Sequence, residues 1–180
     1  MARDSDPGRR TLFWLCGINA AVFILLKLLG IEGHASWLAV ALPSSFQGWL
    51  ARPWTLLTYM VAHTDFLHLL FNVLWLFWFG MMLLATIDRM RLLTLYIGGG
   101  LGGGICYLFA GTAAHPGVLL GASASVLAMM AATGILLPNL RLHIFFIGDV
   151  KMKWVVIFMV WLAFLGAGGG TAGAGGFASH

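Results

Sequence analysis

The sequence predicts an all-α fold, a bundle of helices that crosses a membrane several times. Apolar residues make up 61% of the chain and charged residues only 9%, whereas soluble domains carry about 25% charged residues. Five apolar segments come close to the length of about 20 residues that a membrane-spanning helix needs. Most of the basic residues fall between alternate segments. We therefore expect one polytopic membrane domain over residues 1–180, with five complete spans and the beginning of a sixth.

The predicted spans follow the apolar runs in order along the chain. They cover residues 11–30, 66–87, 92–110, 118–137 and 153–167. A secretory signal peptide is an alternative for the first, but its apolar run is longer than such peptides use. The glycine-rich stretch 166–176 is expected to be an outer loop. Phe177 to His180 would begin the sixth span, so we expect residues 1–180 to be a fragment with poor activity.

The basic residues predict how the domain is oriented. Eight of the ten lysines and arginines fall on one side if the spans alternate: Arg3, Arg9, Arg10, Arg89, Arg91, Arg141, Lys151 and Lys153. The other side has Arg52, and Lys27 lies near the outer end of the first span. Because cytoplasmic loops are enriched in basic residues, the tail 1–10 should be cytoplasmic. The 31–65 and 166–176 loops should then face outside.

Two loops and one glycine run carry further expectations. The 31–65 loop holds three tryptophans and two prolines, a composition that favours short helices lying in the membrane interface. Residues 140–152 are expected to form a cytoplasmic loop. The glycines of 98–104 would let helices approach closely. The alanines at 124, 128 and 132 would form a second close-packing face.

Polar residues within the apolar spans are the candidates for function, because burying them in a membrane is costly. His68 and Asn72 are four residues apart and should share one helix face. Ser123 is expected about five residues inside the fourth span, roughly 8 Å deep. His180 would begin the sixth span. Each residue alone has an ordinary structural explanation, such as a serine bonding to its own backbone, but alternate helices would bring all four to one leaflet.

These residues lie in segments that resemble the rhomboid family. Arg52–His63 followed by His68–Asn72 is similar to the rhomboid signature at the start of the second helix. Gly121–Ala124 resembles the rhomboid nucleophile motif, and Gly176–His180 resembles the start of the helix with the catalytic histidine. The resemblance implies an intramembrane serine endopeptidase of the bacterial six-helix type. Its substrates would be transmembrane helices of other proteins, cleaved near the outer leaflet of the bacterial inner membrane.

The resemblance also implies a role for each residue. Ser123 would be the nucleophile and His180 the general base, in a Ser–His dyad without a carboxylate. The side chains of His68 and Asn72, with the backbone N–H of Ser123, would stabilise the oxyanion. No acidic residue lies inside an outer-leaflet helix, which agrees with a dyad. Asp65 is expected only to cap the second span.

Some positions leave alternatives or depart from the family pattern. Ser125 is a rival nucleophile, but it lies about 200° around the helix from Ser123. His115 is the reserve candidate for the base, and His63 matches a position that is usually structural in the family. Ala124 stands where the family often has glycine. Leu127 stands where some members have a tyrosine that stacks on the catalytic histidine.

Two other function classes compete with a protease. A rhomboid-like pseudoprotease would bind membrane clients without cleaving them, yet such proteins usually lack the serine or the histidine. A transporter or channel subunit would need polar residues through the midplane, and the inner halves of these spans offer almost none. No metal-ligand spacing is present. We expect no metal or other cofactor and no nucleic-acid partner; the sequence leaves the oligomeric state open.

Overall fold

A computed structural model describes residues 6–31, 37–111, 117–144 and 148–168. Helices dominate, joined by two pairs of short strands. In chain order the elements are α1 (Pro7–Leu28), β1 (Leu42–Pro43), α2 (Phe46–Ala51), α3 (Thr55–Thr58), a 3-10 turn (Tyr59–Val61), α4 (Phe66–Leu83), α5 (Arg89–Gly111), β2 (Val118–Leu119), α6 (Ser123–Leu136), β3 (Arg141–Ile144), β4 (Gly148–Lys151) and α7 (Met152–Gly168).

The mostly helical architecture confirms the predicted helical bundle. In the described part of the chain, three helices are long and apolar enough to cross a membrane, namely α1, α4 and α5. The apolar helix α6 is shorter. Large apolar side chains point away from the protein, with Trp14 exposed by 68% and Phe109 by 81%. Such surfaces suit contact with lipid. A total of five spans remains a prediction.

Aspartates begin three of the long helices. Asp6 accepts a hydrogen bond from the Gly8 N–H at 2.9 Å and so caps α1. Asp65 accepts one from the His68 N–H at 2.8 Å, which confirms its predicted capping role. The Oδ1 atom of Asp88 accepts hydrogen bonds from the Met90 and Arg91 N–H groups in the first turn of α5. Each carboxylate satisfies donors that have no partner inside the helix.

The predicted fourth span, 118–137, was wrong at its beginning, because α6 starts only at Ser123. Val118 and Leu119 instead form β2, which pairs antiparallel with β1. Gly121 has a φ of +106°, a conformation that cannot continue a right-handed helix. Its N–H donates to the Tyr59 carbonyl at 2.9 Å. Ser123 is therefore the first residue of α6 and not five residues inside it.

The all-α prediction also missed a β-hairpin in the expected 140–152 loop. Strands β3 and β4 pair antiparallel, with Arg141 opposite Lys151 and His143 opposite Asp149. Gly148 begins β4 with a φ of +87°. The alternation of side chains extends over only four residues in each strand, too few to distinguish a hairpin from a loop. At the other end of α7, residues 166–168 are helical, so the helix includes the start of the predicted 166–176 loop.

Residues 37–65, which precede α4, are folded and contain the predicted short helices. Over residues 37–65, side chains bind back to one stretch of backbone. The Trp54 indole donates to the Ala39 carbonyl at 2.9 Å, and the Thr58 hydroxyl donates to the Val40 carbonyl at 2.8 Å. Strand β1 adds the pairing with β2. This segment is therefore attached to the backbone just before α6.

The glycines of α5 allow close packing against α6, as predicted. A Cβ atom at Gly99 would collide with the Ala128 methyl group, and one at Gly103 would collide with the Ala124 methyl group. At Gly98 a Cβ atom would meet nothing within 4 Å. The close contact thus involves one face of the glycine run, at four-residue spacing.

We expect Gly99→Leu to destabilise the protein far more than Gly98→Leu. The first side chain would separate α5 from α6, and overpacking of this kind costs about 1–3 kcal/mol or more. The second replaces an exposed helical glycine and should be neutral or slightly stabilising. Unfolding temperatures of both variants in detergent micelles would measure the difference. Equal values would show that α5 and α6 do not pack through this face.

The bundle has one strongly basic end. Helix α6 is central and contacts α4, α5 and α7. The beginning of α1 lies against the end of α4, where a Cβ atom at Gly8 would be 2.7 Å from Leu84. Because α4 and α6 begin together, their last residues share the opposite end of the bundle. Seven described basic residues lie there: Arg9, Arg10, Arg89, Arg91, Arg141, Lys151 and Lys153.

Candidate active site

His68, one of the predicted site residues, lies where the start of α4 packs against the backbone that leads into α6. His68 lies in the first turn of α4, and its imidazole packs against the backbone of Gly121. A Cβ atom at Gly121 would lie 2.6 Å from His68 Cε1 and 2.8 Å from His68 Nε2. Glycine at 121 therefore leaves room for this ring. The imidazole therefore contacts the backbone at a position that precedes Ser123 by two residues.

The backbone leading into Ser123 is held by the segment before α4. The Ala122 N–H donates to Nε2 of His63 at 3.3 Å, and the His63 side chain is fully buried. Because Nε2 accepts a hydrogen bond, the ring proton must be on Nδ1. That nitrogen lies 3.3 Å from the Val61 carbonyl, which can accept the proton. His63 is thus a neutral imidazole that fixes the start of α6.

Ser123 and Ser125 have different surroundings. Ser123 is partly exposed, and as the first helical residue its N–H has no acceptor within the helix. Ser125 is fully buried, and its hydroxyl has no hydrogen-bond partner among the described residues. It faces α5, where a Cβ atom at Gly100 would lie 2.7 Å from its Oγ. Of the two serines, only Ser123 is accessible to another molecule.

His68 and Asn72 lie on one face of α4, one turn apart. The Asn72 amide donates to the His68 carbonyl at 2.9 Å and is 7% exposed. Nε2 of His68 is buried and has no partner within the described part of the chain. Buried polar atoms without partners are rare and often mark functional sites. The Asn72 amide has a second hydrogen, so both side chains can donate to a bound group.

The general base predicted at His180 lies outside the described residues, and so does the reserve candidate His115. Of the predicted site residues, the structure describes Ser123, His68 and Asn72. These groups suit a reaction in which negative charge develops on an oxygen near the start of a helix.

The departure at position 124 has a structural explanation. The Ala124 methyl group points towards α5, where Gly103 provides the space for it. A glycine on α5 thus accommodates the larger residue after Ser123. Leu127 is half-buried and packs against the main hydrophobic core.

A second layer of polar contacts supports the segment that anchors the site. Asn19, buried in the middle of α1, donates to the Tyr96 hydroxyl at 3.0 Å. The Tyr96 hydroxyl donates to the Met60 carbonyl at 3.4 Å. The Tyr59 hydroxyl donates to the Gly100 carbonyl. Sequence reasoning missed these contacts, although an asparagine in the middle of an apolar span was a signal.

We expect the stability of the protein to fall on acidification because of His63. Burial, together with the neighbouring His68 ring, lowers the pKa of His63 to about 4. The unfolded side chain takes up a proton near pH 6.5, so the unfolded state binds more protons between these values. Stability should be constant above about pH 7 and fall by up to about 1.4 kcal/mol per pH unit below about pH 6.5.

Unfolding temperatures between pH 4 and 8 would measure this effect. His63→Gln should flatten the dependence, since glutamine can accept the Ala122 N–H without titrating. The matched control is His143→Gln, which removes an exposed histidine of the β3–β4 hairpin. If His63→Gln and the wild type lost stability in parallel, His63 would not be the responsible group.

The fold and the site define a class of protein: an apolar helical bundle with a polar site at the beginning of two neighbouring helices. Comparison with known families identifies the class more closely. The Rhomboid domain family matches residues 50–179, a range that contains every described residue of the site. The chain belongs to the rhomboid family of integral membrane proteins.

One relative is RHOMBOID-like protein 12, mitochondrial, from Arabidopsis thaliana. It is 28% identical to this chain over 159 residues, which cover 79% of this chain and 46% of that protein. The chain thus matches about half the length of this relative.

Proposed function

We propose that the chain is an intramembrane serine endopeptidase with Ser123 as its nucleophile. The observation that supports this most is the environment of Ser123. It is partly exposed at the first residue of α6, two residues after the Gly121 backbone that contacts the His68 imidazole, whose Nε2 has no partner in the described structure. Ser125, two residues later, is sealed against α5. Rhomboid membership supplies the reaction class.

In the proposed reaction, the Ser123 hydroxyl attacks the carbonyl carbon of a peptide bond and gives its proton to His180. The carbonyl oxygen becomes negatively charged as the tetrahedral intermediate forms. The Ser123 N–H, His68 Nε2–H and the remaining Asn72 amide hydrogen donate to that oxygen. His180 then protonates the leaving amine, and a water molecule hydrolyses the acyl-enzyme with His180 again taking a proton.

The start of α6 contributes to the same step. The positive end of its helix dipole lies at Ser123 and favours negative charge there. His63 and the Tyr59 carbonyl hold the preceding backbone before substrate binds. Donors that are already in position need no reorganisation during the reaction, which is the main source of their effect.

The proposed substrates are transmembrane helices of other proteins, cleaved near the membrane surface at which α4 and α6 begin. The basic end of the bundle supports placing this surface outside and the N-terminus in the cytoplasm. We propose a multi-pass protein of a bacterial inner membrane. Proton transfer between serine and histidine requires no metal or cofactor.

Labelling with a serine-reactive fluorophosphonate probe tests the proposal. The protein, purified in mild detergent, should be labelled at Ser123, as mapped by mass spectrometry of its peptides. Labelling should disappear in Ser123→Ala and persist in Ser125→Ala. A folded protein that is not labelled at all would contradict the protease and favour the pseudoprotease.

A further inference from the structure

The β3–β4 hairpin and the start of α7 carry an unusual arrangement of positive charge. Arg141 of β3 lies directly opposite Lys151 of β4, and both side chains are exposed. Lys153, also exposed, follows two residues later. These three residues are called the basic hairpin surface. Like charges directly opposite each other destabilise an antiparallel pair, so an anion bound between them would stabilise the hairpin.

No carboxylate of the described residues provides that anion. Asp149 is on the same hairpin, but it pairs with His143 at 2.8 Å. At the same end of the bundle, Asp6 lies 3.8 Å from Arg9, and Asp88 lies 3.6 Å from Arg91. Each of these acidic residues thus already has a nearby partner, Asp149 on the same hairpin and Asp6 and Asp88 at the start of a helix. The basic hairpin surface has charge available for a partner outside the protein.

The position of the surface indicates where that partner lies. Backbone hydrogen bonds at the base of the hairpin join the connection between α6 and β3 to the start of α7: Met152 N–H donates to the Leu140 carbonyl at 2.7 Å, and Lys153 N–H donates to the Pro138 carbonyl at 3.4 Å. Trp154 is 57% exposed, and the Lys153 ammonium lies over its ring at 5.3 Å. Tryptophan and lysine at the end of an apolar helix are typical of the headgroup region.

We infer that the basic hairpin surface binds the phosphate of an anionic phospholipid in the surrounding leaflet. Arg141 and Lys151 approach the phosphate from the two strands, and Lys153 adds a third positive charge. Trp154 places its ring beside the acyl chains. The bound lipid relieves the repulsion across the hairpin and holds the connection between α6 and α7 against the membrane surface. This inference does not depend on the proposed protease activity.

Lipid binding by the full chain in an uncharged detergent tests the inference. Phosphatidylglycerol and phosphatidylcholine with identical acyl chains would be titrated, and bound lipid counted by native mass spectrometry. Phosphatidylglycerol should bind more tightly. Arg141→Gln combined with Lys151→Gln should weaken its binding by roughly 30-fold, because each basic group near an anionic headgroup contributes about fivefold. Phosphatidylcholine binding should not change.

The matched control is Arg89→Gln combined with Arg91→Gln, which removes the same charge at the same end of the bundle. It should leave phosphatidylglycerol binding unchanged. Exchanging the two residues, Arg141→Lys with Lys151→Arg, should retain binding and would keep the test valid if the glutamine variant failed to fold. Equal weakening in the two glutamine variants, no preference for phosphatidylglycerol, or displacement of the lipid by soluble glycerol phosphate would each overturn the inference.

Discussion

Replacing Ser123 with alanine is expected to lower the rate of cleavage of a single-pass substrate in liposomes on the order of 10⁴-fold or more, to background. The reason is that the proposed covalent intermediate forms on its hydroxyl, and the other serine of α6, Ser125, is fully buried. The unfolding temperature should hardly change, because Ser123 is partly exposed. The measurement follows the purified protein with a substrate whose fragments are sized by gel.

Ser125→Ala is the matched control, since it removes the same hydroxyl group two residues away. Cleavage should continue at close to the wild-type rate. The unfolding temperature should stay the same or rise, because a buried hydroxyl without a partner is lost. If Ser125→Ala abolished cleavage while Ser123→Ala retained it, the assignment of the nucleophile would be reversed.

Gly121→Ala is expected to lower activity by roughly 100-fold or more, the loss that follows removal of one oxyanion donor. The new Cβ atom would lie 2.6 Å from the His68 ring, so the imidazole must move away from the start of α6. The φ of +106° adds backbone strain of about 1–2 kcal/mol. Both the cleavage rate and the unfolding temperature should therefore fall.

Gly148→Ala separates the backbone strain from the contact with the His68 ring. Gly148 also has a positive φ, +87°, but a Cβ atom there would meet nothing within 4 Å. This variant should show the strain of about 1–2 kcal/mol in its unfolding temperature, with its cleavage rate unchanged. Similar rates in the two variants would mean that the contact between Gly121 and His68 has no part in the reaction.

Much of the architecture could be predicted because its causes are local. Apolar runs produce helices wherever they occur, and Asp65 caps α4 from a position next to it in the chain. The four-residue spacing of His68 and Asn72 places them on one face by helical geometry alone. The small residues of α5 and α6 predicted a close contact, although the particular glycines involved depend on how the two helices face each other.

The start of α6 could not be predicted, because contacts distant in sequence determine it. Residues 118–122 are apolar and continue the pattern of a span, yet β2 pairs with β1, and Tyr59 and His63 bind the backbone of Gly121 and Ala122. The hydrogen bond from Ala122 to His63 joins residues 59 positions apart. No window of local sequence contains both partners.

In the candidate site, too, some features follow from local sequence and others from contacts between distant segments. The sequence by itself determined that this is a helical membrane protein and which polar residues its helices carry, because composition and spacing act along the chain. Only the tertiary structure decided that α6 begins at Ser123, two residues after the contact between Gly121 and His68, while Ser125 is buried against Gly100. The resemblance to the nucleophile motif favours Ser123, but the local sequence around the two serines does not show which of them is buried. The packing of α5 against α6 distinguishes the two serines, because it buries the face of α6 that carries Ser125 and leaves Ser123 partly exposed.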